Sequence, residues 1–295
     1  MAEKPKIPAA LTADLPQNRW GKILAATPVV MAVIATMLAG LASSEMTHAQ
    51  YDRSTAAELQ SKAGDQWNFA ADKKTRGALA HNSLDLLAAS VQIHPLTAAG
   101  LPGADDATIA AFTEGKLPAV TVPKYDDGVK AALDALASGR PESEITAALA
   151  KVKDAQVADA LEAASDAADQ FDAATKSINS FSDKLDQQLM HGAPEDFRDF
   201  SAARLAYTAA RYDAEAKLNQ AVASVYELQI REKNATADKH HARSAKFFYG
   251  MLASQMGVII ATFALAARQR NFLWALAAAA GSAAVAFSVY VYLCV

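Results

Sequence analysis

The sequence has no acidic, basic or histidine residue in three long stretches, 23–43, 247–267 and 272–295. A helix needs about 20 mostly apolar residues to cross the hydrocarbon core of a bilayer. Each stretch is long enough for one crossing. The missing charge therefore predicts a membrane protein with one span, a large polar segment and two closing spans.

The same absence argues against transport through these spans. Ion pathways and proton relays in membranes usually carry ionisable side chains. The polar side chains of the three stretches are few and uncharged, with Thr36 and Gln255 among them. A path for ions through the spans is therefore not favoured.

The sequence also lacks the common catalytic motifs, and it contains only one cysteine. The sequence contains no phosphate-binding glycine loop, no paired-histidine zinc motif and no nucleophile elbow. The single cysteine, Cys294, cannot form a disulfide within the chain. Acid pairs such as Asp105–Asp106 are expected to cap helices rather than to act in acid–base catalysis. We predict no enzyme activity, no cofactor and no bound metal.

Charge is unevenly distributed along the chain. The whole sequence has a net charge of −4, and the head 1–22 and the turn 268–271 each carry +2, which leaves −8 between the first and second spans. An acidic segment argues against nucleic-acid binding, because that relies on basic patches facing phosphate. Short basic segments tend to remain in the cytoplasm, so we expect the head and the turn there. Lys239, Arg243 and Lys246, just before the second span, favour the opposite orientation.

The polar segment is predicted to be helical. Its two arms, 44–94 and 195–246, contain no proline and are rich in strong helix formers. Apolar residues at helical spacing predict a buried stripe on the first arm, which consists of Leu59, Ala63, Trp67, Ala70, Leu79 and Leu84. Two helical arms that leave one membrane patch should pair antiparallel. The predicted fold class is therefore all-α, with three transmembrane helices and a long antiparallel helical hairpin, a coiled-coil-like stalk, that carries a helical insert.

Prolines and glycines interrupt the pattern between the two arms. We expect short helices at about 105–114 and 126–138, followed by a long helix over about 143–190. The predicted organisation is a head 1–22, a span 23–43, a stalk arm 44–94, a helical insert 95–194, a second stalk arm 195–246, a span 247–267, a basic turn 268–271 and a span 272–295.

Small residues form ridges on the first and third spans. Such ridges let helices pack closely in lipid. They predict tight association of the spans, either within one chain or between copies. The expected helix-packing residues are Ala32, Thr36 and Gly40 on the first span and Ala277, Gly281, Ala284 and Ser288 on the third.

Four side chains outside the spans have both a functional and a structural interpretation. Trp67 is either an anchor for a partner or a seam residue between the arms, and we favour the seam. His48 follows the first span, and His240 and His241 precede the second, so antiparallel arms would bring the three to a similar height. Grouped imidazoles can bind a transition metal or respond to pH. We favour contact with lipid headgroups or neighbouring helices.

Three sequence features resemble a bacterial membrane family catalogued as domain of unknown function 4337. The first is the order of one span, a helical segment and two spans. The second is Asp-Gln-Trp-Asn-Phe at 65–69, followed at 71–73 by Ala-Asp-Lys where the family has a Gln-Ala-Lys-like element. The third is His-Ala-Arg at 241–243 with Phe-Leu-Trp at 272–274. The resemblance does not cover 95–196. The resemblance implies a bacterial membrane location and this architecture, and the family has no established activity. The orientation expected from the basic segments then puts the polar segment in the periplasm of the bacterial inner membrane.

The sequence favours a non-enzymatic, membrane-anchored helical scaffold or accessory subunit. Such a protein would form a homo-oligomer or associate with other membrane-protein subunits, in contact with membrane lipid. The alternative is a subunit of an ion-conducting or proton-driven motor or channel, because the order of the spans is similar to that of stator proteins. A third possibility is an enzyme that uses the histidines near the membrane.

Overall fold

The computed structural model describes residues 19–119, 123–266 and 270–294 and is all-helical over them, as expected. Residues 1–18 of the predicted head and 267–269 of the predicted turn region lie outside the described residues. The helices are α1 (Arg19–Ser90), a short 3₁₀ helix (Ala98–Gly100), α2 (Asp106–Thr113), α3 (Asp127–Ala137), α4 (Glu142–Leu149), α5 (Asp154–Leu189), α6 (Pro194–Ala266) and α7 (Arg270–Cys294). The described residues contain no strand.

Three of these helices, α1, α6 and α7, are long and apolar enough to cross a membrane. The expectation of three spanning-length helices is therefore confirmed. Helices α1 and α6 contain 72 and 73 residues and continue from an apolar stretch into a polar one without interruption. Helix α6 begins at Pro194. Proline is suited to this position because the first N–H groups of a helix have no hydrogen-bond partner within it. The negative charges of Glu195 and Asp196 in the first turn stabilise the positive end of the helix dipole.

The chain forms two compact units. The terminal unit consists of Met1–Ser54 and Asn234–Val295, and the central unit consists of Thr55–Lys233. Each unit contains a stretch of α1 and a stretch of α6.

The central unit has its large apolar side chains inside. One cluster joins α3, α4, α5 and α6 around Val129, Ile145 and Leu228. A second joins α2, α5 and α6, where the ring centroids of Phe112 and Phe200 are 5.6 Å apart. Burial of such side chains supplies most of the drive for folding in water.

The expected long helix over 143–190 is wrong, because the chain breaks between α4 and α5. The break at 150–153 lets α4 pack on α3, which buries Ile145 and Leu149 against Val129. Helix α5 then begins with the Gln156 side chain accepting a hydrogen bond of 2.8 Å from the Lys153 N–H. The alanine-rich sequence gives no sign of this break, since it contains neither proline nor glycine there.

Buried positions on α1 and α6 of the central unit repeat every seven residues. This alanine seam consists of Ala56, Ala63, Ala70 and Gly77 on α1 and Ala216 and Ala223 on α6. A Cβ atom at Gly77 would lie 3.5 Å from the Ala209 carbonyl oxygen. The backbones of the two helices are therefore close, which only small residues allow.

Ala63 and Ala70 of the expected stripe are buried, with 4% and 1% exposed. Leu59 and Leu84 are half-buried. Leu79 is 61% exposed, and Trp67 lies at the rim with 37% exposed, so the expectation is wrong for Leu79. The seam therefore follows the small residues of the stripe and not the large ones.

Candidate functional site in the terminal unit

The spanning-length stretches of α1, α6 and α7 meet around one methionine. Met31 of α1 is buried, and its side chain occupies the space beside Gly257 of α6 and Gly281 of α7. A Cβ atom at either glycine would overlap the Met31 side chain. The two glycines therefore allow α1 to pack against both other helices at once.

The predicted ridge on α7 lies against α6 and α1. Ala277, Gly281 and Ala284 are buried, and Ser288 is half-buried. Gly250 of α6 faces this ridge, since a Cβ atom there would lie 3.2 Å from Ser288 Oγ. The small residues of α7 are thus used within the chain.

The predicted ridge on α1 faces the other way. Ala32, Thr36 and Gly40 are all exposed, and no neighbouring side chain or backbone atom would lie within 4 Å of a Cβ at Gly40. The α1 surface that packs inside the terminal unit consists instead of Met31, Ala35, Leu38 and Ala42. The Ala32 ridge is therefore available for contact with another chain.

Two buried serines of α6 join the backbone of α1. Ser244 Oγ donates to the Ala42 carbonyl oxygen at 2.7 Å, and Ser254 Oγ donates to that of Met31 at 2.9 Å. Buried hydroxyls need such partners, and in lipid they link neighbouring helices. The sequence analysis overlooked these serines and Gly250 and Gly257. Their signal is the spacing of seven between the two glycines, which places both on one face of α6.

Two of the three histidines singled out from the sequence come together. The ring centroids of His48 and His240 are 5.3 Å apart, and His240 Nδ1 lies 2.6 Å from Glu45 Oε2. His241 is exposed, and as the next residue it points about 100° away around α6. Among the residues that the structure describes, no group of three or more His, Cys, Asp or Glu side chains is arranged to hold a metal ion.

Trp67 belongs to the central unit and has a partner there. Its Nε1 donates to Glu227 Oε1 at 2.8 Å, which joins α1 to α6 beside the alanine seam. The same two helices are joined by the ion pair between Lys73 and the buried Glu215. These contacts give Trp67 a place between the two helices, and its side chain remains partly accessible at the rim.

Two tyrosines of the central unit, Tyr125 and Tyr207, have a pKa above the ordinary value because both are largely withdrawn from water. Burial raises the pKa of Tyr207 to about 12, and its hydroxyl donates to Asn179 Oδ1 at 3.0 Å. The ring packs against Phe112, with centroids 5.2 Å apart. The hydroxyl bond and the ring contact place Tyr207 in the core of the central unit.

Comparisons with known proteins return no relative. No protein-family model, curated protein or solved structure matches the chain. The resemblance drawn from sequence motifs therefore stays an expectation.

Proposed function

We propose that this protein is a non-enzymatic, membrane-anchored helical scaffold or accessory subunit that oligomerises or supports a larger membrane complex. Its place is the bacterial inner membrane, with the N-terminus and the 268–271 turn in the cytoplasm and the central unit in the periplasm. The central unit would then act on the far side of the membrane from the two basic segments.

One observation carries this proposal. Helices α1 and α6 each contain a stretch apolar enough to cross a membrane and continue, without a break, into the polar central unit. A continuous helix transmits position and orientation better than a flexible linker, whose ends move independently. This construction suits a protein that holds a domain at a set place.

The contacts within the central unit support an antiparallel stalk. Trp67 meets Glu227, and farther along α1 Lys73 meets Glu215, which lies earlier on α6. Apolar positions that repeat every seven residues are the pattern of a coiled coil. We propose that 44–94 and 195–246 form such a pair, held by alanines.

The exposed ridge on α1 supports association between chains. Ala32, Thr36 and Gly40 lie one turn apart on a surface that none of the described helices covers. Ridges of small residues at this spacing allow two helices to approach closely in lipid. The ridge therefore supports contact with a second copy or with another subunit.

Native mass spectrometry of the full chain in mild detergent tests the proposal. We expect a defined oligomer or a stable complex with other membrane proteins. Thr36→Leu, which fills the centre of the ridge, should weaken that assembly at least tenfold. Val30→Leu is the matched control, because Val30 is exposed on the same stretch and points about 120° away from Thr36 around the helix.

Two results would overturn the proposal. One is a strictly monomeric wild-type protein that captures no partner from native membranes. The other is an assembly that Thr36→Leu and Val30→Leu weaken equally, which would remove the ridge from its explanation.

A further inference from the structure

An apolar groove opens on the surface of the terminal unit. Its volume is about 390 Å³. Among the groove residues, only Ser288 and Tyr292 have a hydroxyl group. The Ser288 Oγ already donates to the Ala284 carbonyl oxygen at 2.6 Å. The groove is lined by Ile34, Met37, Leu38 and Leu41 of α1, Phe247 of α6, and Val285, Ser288, Val289, Tyr292 and Leu293 of α7. It therefore offers hydrocarbon contact and almost no hydrogen bonding.

A basic side chain lies one helical turn from this groove. Arg243 precedes the groove residue Phe247 by four positions and shares its face of α6. Arg243 is half-buried, and its Nε atom is shielded from water without a hydrogen-bond partner. Within the described part of the chain, Arg243 forms no ion pair. Two acidic residues near it in the sequence or on α1 have other partners, because Glu45 pairs with His240 and Asp238 pairs with Arg53.

The charge of Arg243 is partly withdrawn from water, and the described residues place no opposite charge against it. Such withdrawal is unfavourable unless an opposite charge replaces the water. Arginine binds phosphate through charge-assisted hydrogen bonds, which are about twice as strong as neutral ones. The Nε atom is enclosed by the protein, so an anion would meet the terminal nitrogens of the guanidinium. The missing partner of Arg243 is thus an anion whose oxygens accept these hydrogen bonds.

We propose that the groove and Arg243 form a binding site for one anionic phospholipid, with an acyl chain in the groove and the phosphate on the Arg243 guanidinium. The inference rests on the membrane placement proposed above and adds a specific ligand to it. A free phosphate would leave the groove empty, and a zwitterionic lipid would bring a cation beside Arg243. The anionic phospholipid satisfies both halves of the site.

Lipid titration of the delipidated full chain, followed by native mass spectrometry, tests this site. The probes are phosphatidylglycerol, phosphatidylcholine and inorganic phosphate. We expect phosphatidylglycerol to bind about tenfold more tightly than phosphatidylcholine, as one charge-assisted contact allows. Arg243→Gln should abolish that preference, and Arg243→Lys should retain part of it. Lys239→Gln is the matched control, because Lys239 is exposed four residues away and loses the same charge.

A second pair of variants tests the groove separately from the charge. Val285→Trp fills the groove and should reduce the binding of both lipids, whereas Ile259→Trp adds the same ring at an exposed position outside it. Equal affinity for the two lipids, full preference in Arg243→Gln, unchanged binding in Val285→Trp, or displacement of lipid by inorganic phosphate would each overturn the proposal. The same spectra report the oligomer, so loss of lipid and loss of assembly are read independently.

Discussion

The two units of the chain differ in where most of their large apolar side chains lie. Most of the large side chains that are fully buried belong to the central unit, with Phe171 among them, although Phe69 is exposed there. Most of the large apolar side chains that are exposed belong to the terminal unit, where Phe263 and Leu293 are 66% and 73% exposed. Small residues such as Ala277 make up much of the interior of the terminal unit.

This difference reflects two solvents. In water, large apolar side chains are stabilised by leaving the surface. In lipid they gain nothing by that, because acyl chains are as apolar as leucine, and helices associate through close packing and hydrogen bonds between them. The terminal unit shows both of these features, in its glycines around Met31 and in its two serine contacts to the α1 backbone.

The largest expected effect is that of removing a large side chain from the central unit. Phe200→Ala leaves a cavity beside Phe112 and should lower the free energy of unfolding by about 3–5 kcal/mol. Phe69→Ala is the control, since Phe69 is exposed on α1 and should change the free energy of unfolding by less than about 1 kcal/mol. Chemical denaturation of the full chain in detergent measures both. Equal losses would mean that the interior of this unit is not close-packed.

The next effect is the pH dependence of the same core. The pKa of Tyr207 is about 12 in the folded chain and about 10 in the unfolded chain. Stability from this group is therefore complete below pH 10 and falls as the pH rises towards 12, by roughly 2–3 kcal/mol in all. Denaturation at pH 9, 10 and 11 measures the fall. The Tyr207→Phe variant has no ionisable group at this position, so its free energy of unfolding should fall less over this range. An equal or steeper fall in the variant would contradict the raised pKa of Tyr207.

The smallest of the three effects concerns the alanine seam. Ala70→Leu inserts a larger side chain between α1 and α6 and should lower the free energy of unfolding by about 2 kcal/mol through overpacking. Ala71→Leu makes the same change at the next residue, which is exposed, and should have little effect. Denaturation midpoints of the two variants provide the comparison. A seam that accepts leucine without loss would show that the helix backbones are not held close by alanine.

Several features of the fold could be predicted from the sequence because they depend on local composition. The all-helical class follows from helix-forming residues without strand patterns, and the short helices α2 and α3 follow from prolines, glycines and capping aspartates. Asp105 and Asp126 accept hydrogen bonds from the backbone N–H groups of Thr108 and Gly128, as caps do. Of the alanine seam on α1, Ala63 and Ala70 were part of the expected stripe, whereas Ala56 and Gly77 were not, although the period of seven that joins the four is present in the sequence.

For the candidate sites too, the sequence indicated some residues and the structure alone showed how they are arranged. The sequence indicated that small residues on the first and third spans could pack, but it did not assign their directions. Only the structure places the α7 ridge inside the terminal unit and the Ala32 ridge outside it. It likewise brings His48 and His240 together and leaves His241 exposed, because adjacent helix residues point in different directions.

By itself the sequence determined that the chain is helical and that three stretches can cross a membrane, because both properties depend on residue type over a short window. Tertiary structure decided which face of each helix is covered and where the pattern of 143–190 breaks. It also decided that Arg243 lies near an apolar groove with no ion-pair partner among the described residues. Those outcomes depend on which helix surfaces meet, and contacts between residues as distant as Met31 and Gly281 cannot be seen in any local window.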